Sequence, residues 1–146
     1  MHTTKPIPDG YHTITPYLLV ENAAALIDFL KRAFHAKETE RFVLPDGTVS
    51  HAEVQIGDSK VMMGQARGEM KPVSASLYMY VEDVDYVYQN AVEAGGLSIN
   101  EPKDQFYGDR TASVKDPAGN TWWIATHVQD LHPEELRKRF LAARAG

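Results

Sequence analysis

Residues 76–96 read SLYMYVEDVDYVYQNAVEAGG, and the order of signals in this stretch decides the fold. Leu77, Met79 and Val81 alternate with Ser76, Tyr78 and Tyr80, as in a strand with one apolar face. Asp83 then caps a helix carrying Val84, Val87, Tyr88, Ala91 and Val92 at helical spacing, and Gly95-Gly96 stops it. Strand, cap, amphipathic helix and glycine stop therefore follow one another within a single short segment.

Downstream, strands are expected near Leu97 to Lys103, Arg110 to Lys115 and Thr121 to His127, the last two joined by the turn Asp116-Pro117-Ala118-Gly119. Upstream the same order has already occurred once. His12 to Val20 reads as a strand in which Pro16 lacks a ladder hydrogen bond. Asn22 caps a helix over Ala23 to Phe34 whose stripe is Leu26, Ile27, Leu30, Ala33 and Phe34. Strands Lys37 to Leu44, Val49 to Ile56 and Ser59 to Gly64 follow, separated by Pro45-Asp46-Gly47 and Gly57-Asp58, and a polar connector runs from Gln65 to Ala75. VEN at Val20 and VED at Val81 open the two helices at an offset of about 61. Ala52-Glu53-Val54 likewise matches Ala112-Ser113-Val114, and Gly57 before SKVMM matches Gly119 before TWWIA, which pairs Met62 with Ile124. One βαβββ unit thus appears twice, over residues 11–64 and 76–127, inside a single α+β domain spanning 1–146. A C-terminal helix over 131–145 begins with Pro133 in its first turn, acids Glu134 and Glu135 near its positive end and bases further along.

The chain has 146 residues, enough to bury a core without a staple, and no cysteine, which excludes disulfides, a cysteine nucleophile and thiolate metal sites. Its net charge of −5 is carried with scattered Lys and Arg, so nothing offers the basic stripe that nucleic acid demands. No apolar run reaches spanning length and Met1 to Gly10 shows no export signal, so a cytoplasmic protein that neither binds nor crosses membranes is expected. No Gly-rich phosphate loop, nucleophile elbow or HExxH occurs.

TPYLLVENAAALIDFL at Thr15 to Leu30, the GDSKVMM hairpin, the YVEDVD helix entry and the closing YGDRTASVKDPAGNTWWIATH resemble the vicinal oxygen chelate superfamily. That superfamily takes in glyoxalase I, extradiol dioxygenases, and fosfomycin- and bleomycin-resistance proteins. The opening TPYL and the GDR…DPxGxxW…ATH ending are most similar to its PhnB-like group. The resemblance implies a cupped mixed sheet built from the two units, with helices outside, closing around a small-molecule pocket. It also implies a homodimer, since relatives often share a cup between two chains.

In metal-dependent relatives four ligands come from the first and last strand of each unit. Matching the motifs puts those positions at Thr15, Met62, Ser76 and Trp123, a set without charge or good lone pairs. No metal and no cofactor is therefore expected. Alternation leaves Thr15, Tyr17, His51, Glu53, Ser76, Tyr78, Tyr80 and Trp123 on the face away from the helices, a mixed surface suited to small organic ligands, aromatic ones included. Phe106 and Tyr107 form a candidate lid, and Arg110 either holds an acidic ligand group or pairs with Asp109 or another carboxylate. His51 with Glu53 is the candidate acid/base pair, His12 and His127 standing near strand ends. A metal-free binder is the leading expectation. The alternatives are a lyase, isomerase or dioxygenase with a displaced metal or a His/Glu site, and a non-catalytic interaction module.

Overall fold

A computed structural model describes residues 4–145. Its elements run β1 (Tyr17–Val20), α1 (Ala23–Phe34), β2 (Lys37–Val43), β3 (Val49–Ile56), β4 (Ser59–Gln65), β5 (Ser76–Tyr80), α2 (Val84–Glu93), β6 (Leu97–Asp104), β7 (Asp109–Lys115), β8 (Thr121–His127) and α3 (Pro133–Ala145). They build an α+β fold of two four-stranded mixed sheets, ordered β1-β4-β3-β2 and β5-β8-β7-β6. The parallel pairs β1–β4 and β5–β8 make each half the same topological unit.

Helices α1 and α2 start where their caps place them. The Asn22 side chain accepts from Ala25 N at 3.1 Å and the Asp83 side chain from Tyr86 N at 3.2 Å. Leu26, Ile27, Phe29, Leu30 and Ala33 of α1 are wholly buried, each large side chain contributing about 1.5–3 kcal/mol by burial. Gly96, just beyond α2, admits this packing: a Cβ there would stand 2.8 Å from Ala91 O and 3.2 Å from Phe29 Cε1.

Three expectations need correction. The first strand begins at Tyr17 rather than His12, because Pro16 accepts from Met62 N but has no N–H to return, and Ile14 before it is 83 % exposed. The repeat aligns Met62 with Trp123, not with Ile124, since Tyr17 lies opposite Met62 and Tyr78 opposite Trp123. Finally, one chain does not close a cup. Helix-facing side chains of both sheets join a single core, with the Phe34 and Trp122 rings 5.0 Å apart, and α1 packs on α2. The helix-bearing faces therefore turn toward each other, and the two open faces point away.

Candidate functional site: two open faces

The open face of the first sheet consists of rows fixed by strand register. One row is Tyr17–Met62–Glu53–Glu40 and the next is Leu19–Gly64–His51–Phe42. Alternation puts them there, because Ala52 and Val54 of the same strand are buried against α1. The Tyr17 ring lies across Gly64, where a Cβ would meet the ring at 3.0 Å, and its hydroxyl reaches 3.4 Å from His51 Nδ1. Tyr17 and Phe42 both pack beside His51, at 5.7 and 5.9 Å between centroids.

Glu53 is only 3 % exposed although it lies on the open face. Its cover is Tyr11, from the segment preceding β1, whose hydroxyl bonds both carboxylate oxygens, one of them at 2.7 Å. Thr39 Oγ1 donates to Glu53 Oε2 at 2.9 Å. Thr39 gets there through a bulge: Glu38 pairs with Val54 and Glu40 with Glu53, so Thr39 is extra and is re-aimed. The hydrogen bond to Glu53 pushes the Tyr11 phenol up to about 12, which keeps it a donor.

The second sheet carries the row Tyr78–Trp123–Ser113–Asn100, with Asn100 donating to Ser113 Oγ at 2.8 Å. Its carboxylate is Asp109, 4 % exposed, which accepts from Tyr78 and Tyr80 at 2.8 and 2.9 Å and meets His127 Nδ1 at 2.8 Å. His127 Nε2 in turn meets Asp130 at 2.8 Å. Desolvation pushes the Asp109 carboxyl up, but the bonds from His127, Tyr78 and Tyr80 together outweigh it and hold it below the usual carboxylate range. The bonds to Asp109 and then to Asp130 raise His127. Burial and then the bond to Asp109 push the Tyr78 phenol up.

Of the residues singled out in the sequence, Tyr17, Met62, His51 and Glu53 share the first open face, and Tyr78, Tyr80 and Trp123 share the second. Ser76 accepts from Trp123 Nε1 at 3.2 Å. Thr15 lies outside β1, on the approach to it. His51 and Glu53 do not bond each other: His51 has Tyr17 and, at 3.7 Å, Glu40. Phe106 and Tyr107 pack edge to face 5.1 Å apart, and Phe106 lies against Phe140 of α3, so the loop that carries them is seated on the C-terminal helix. Arg110 pairs with Asp85 at 3.1 Å and Asp104 at 3.2 Å rather than with Asp109, on the helix side of the sheet. Tyr11, Thr39 and Asp109 were missed. Parity would have found Asp109, two residues from Thr111 on the same face; Thr39 needed the bulge.

The four positions where relatives hold a metal do not fit one here. Met62 offers a thioether, Thr15 and Ser76 offer hydroxyls, and Trp123 spends its only polar atom as a donor to Ser76. Among the described residues no three His, Asp or Glu side chains gather as a metal site requires.

The family model described as the Glyoxalase/Bleomycin resistance protein/Dioxygenase superfamily matches residues 10–124, taking in both open faces. The chain belongs to that superfamily. As a glyoxalase/bleomycin-resistance superfamily member it is 34 % identical over 135 residues to uncharacterized proteins of Mycobacterium bovis and Mycobacterium tuberculosis. The match covers 85 % of this chain, 89 % of the first relative and 79 % of the second. The superfamily fold is shared with the crystal structure of TioX from Micromonospora sp. ML1, at a TM-score of 0.70, 22 % identity and coverage of 80 % of this chain and 99 % of that one. A glyoxalase/bleomycin resistance protein/dioxygenase family enzyme from Burkholderia phytofirmans PsJN aligns at a TM-score of 0.63 and 18 % identity, over 77 % and 95 % of the two chains.

Proposed function

We propose that this protein is a metal-free binder of small organic molecules, of the PhnB-like group, whose cups are completed by a second copy of the chain. The observation that carries this reading is the pair of open faces. Each combines aromatic rings with a buried carboxylate: Tyr17 and Phe42 flank His51 on the sheet face where Tyr11 covers Glu53, and Tyr78 and Tyr80 lie over Asp109 on the other. Such a surface suits stacking with a few orienting polar groups. Tyr17, Phe42, Tyr78 and Tyr80 are 45–64 % exposed in the single chain, and among the described residues nothing covers these rings.

A second copy supplies the opposing wall. Among the described residues no strand pairs with the outer edges of β1 and β5, although Val73 N donates to Leu19 O at 3.1 Å on the edge of β1. Pro16 and β5 flank a groove of about 880 Å³ that is floored by Phe34, Leu77, Met79 and Trp122. An isologous pairing across it buries apolar surface on both copies and brings the first face of one chain opposite the second face of the other.

Two measurements test the reading. Sedimentation equilibrium at tens of micromolar is expected to give a dimer, and a monomer overturns the shared cup. Nuclear magnetic resonance titration with a library of aromatic compounds is expected to shift Tyr17, Met62 and Trp123 together. A library that shifts none of them overturns ligand binding.

A further inference from the structure

We infer that Glu53 is the anchor for the ammonium group of an organic cation, and that Tyr11 holds its place until the ligand arrives. The inference rests on the small-molecule reading of the open faces and narrows it to one ligand class.

A carboxylate can accept about four hydrogen bonds. The Glu53 carboxylate has two hydroxyl donors: Tyr11, shared between both oxygens, and Thr39, which lies 2.9 Å from Oε2 and 3.2 Å from the Glu53 backbone carbonyl. Among the described residues no Lys, Arg or His forms an ion pair with it. The nearby Lys60 ammonium sits over the Tyr11 ring instead, 5.3 Å from its centroid. Burying a carboxylate without an opposite charge is costly, and proteins ordinarily pair it. This chain does so elsewhere. Glu38, one residue from Thr39 but on the helix side of β2, has Lys31 Nζ at 3.0 Å and Arg41 at 2.7 Å, and Asp109 of the second sheet has His127. Asp116, the third buried carboxylate, has no ion pair either but accepts from four N–H groups, so Glu53 alone among them keeps hydroxyl partners only.

The place of Glu53 in the repeat sharpens the contrast. Its counterpart in the second unit is Ser113, which has the same register opposite the Met62 equivalent, Trp123, and is wholly buried with a neutral partner, Asn100. The fold therefore tolerates a neutral residue at this position, and the carboxylate is particular to the first open face.

The cover can move. Tyr11 belongs to a segment outside every helix and strand, tied locally by Tyr11 N to Pro8 O at 3.1 Å. An ammonium brings three N–H donors and the missing charge to the place of one hydroxyl. Tyr17 and Phe42, 52 % and 57 % exposed on the same face, offer π surfaces to the remainder of such a ligand.

The test uses the full chain at neutral pH and three probes with one aromatic framework: 2-phenylethylamine, 2-phenylethanol and phenylacetate, followed by nuclear magnetic resonance titration. The amine is expected to bind about tenfold more tightly than the alcohol and the acid most weakly. Glu53→Gln, which keeps shape and can still accept from Tyr11 and Thr39, is expected to bring the amine down to the affinity of the alcohol. Tyr11→Phe keeps the ring but removes the competing hydroxyl, and is expected to tighten the amine about threefold. Equal affinity for the three probes, or a preference for the amine that survives Glu53→Gln, overturns the inference while leaving small-molecule binding intact. No shift on either open face with any probe overturns both. Should Glu53→Gln fail to fold, a Tyr11→Phe variant without tightened amine binding overturns the inference by itself.

Discussion

The two βαβββ halves share a topology and differ in where they keep their polar order. In the first half the helix is apolar throughout its inner stripe, and the β3–β4 turn at Gly57-Asp58 is minimal. In the second half only Val84 and Ala91 of α2 are buried, and order comes from a side-chain network at the corresponding turn. Asp116, 4 % exposed, accepts from Ala118 N, Asn120 N, Asn120 Nδ2 and Trp122 Nε1, and Asn120 Oδ1 accepts from Ala75 N. Both halves pack on their helices, α1 with the larger buried side chains, and the second half adds hydrogen bonds at its last hairpin. The lesson is that a duplicated fold does not require duplicated energetics.

Substitutions can break this comparison. Phe29→Ala is expected to cost about 3–5 kcal/mol in urea unfolding, since the ring is wholly buried between α1 and Gly96, whereas Val87→Ala on the partly buried stripe of α2 is expected to cost about 1 kcal/mol. Equal losses would erase the asymmetry of the helices. Asp116→Ala is expected to cost about 2–3 kcal/mol by orphaning buried donors, against less than about 0.5 kcal/mol for Asp58→Ala, whose side chain accepts only from Ser59. A thermal melt of the two variants side by side reads the difference.

The smallest expected effect separates the carboxylates of the open faces. His127 is raised by Asp109 and Asp130, so its contribution is complete below its ordinary value of 6.5 and disappears as pH rises through the higher folded value. Asp109 is lowered, so its contribution is present above its ordinary 3.8 and is lost as pH falls through the lower folded value. The stability difference between the wild type and His127→Phe is therefore expected to be greatest between about pH 4 and 6.5 and to shrink above it. A difference that is flat from pH 4 to 9 would show that the pair does not order the second face.

Much of the fold could be read from the sequence, because its determinants are local. Asn22, Asp83 and the glycines after α2 are cap and stop signals acting within one turn, and α1 spans Ala23–Phe34 as its stripe predicts. The sheet face that carries Tyr17, Tyr78, Tyr80 and Trp123 was legible by parity for the same reason. What was not legible depends on contacts far apart in the chain. Arg110 has three nearby acids, and only the register of β6 and the packing of α2 give it Asp104 and Asp85 rather than Asp109. Tyr11 reaches Glu53 across 42 positions, and no periodicity marks a loop residue as a cover. The separation of one expected cup into two faces follows from α1 packing on α2, which neither stripe encodes alone.

The bulge in β2 has a consequence for the gene. Lys37, Glu38 and Glu40 pair with the consecutive residues Gln55, Val54 and Glu53, so the strand is one residue longer than its ladder needs. An in-frame loss of the Thr39 codon would leave those pairings where they are and take from Glu53 one of its two hydroxyl donors. Deletion at that codon would change the surroundings of Glu53 while sparing the ladder, so that the polar order of this face can vary without the scaffold.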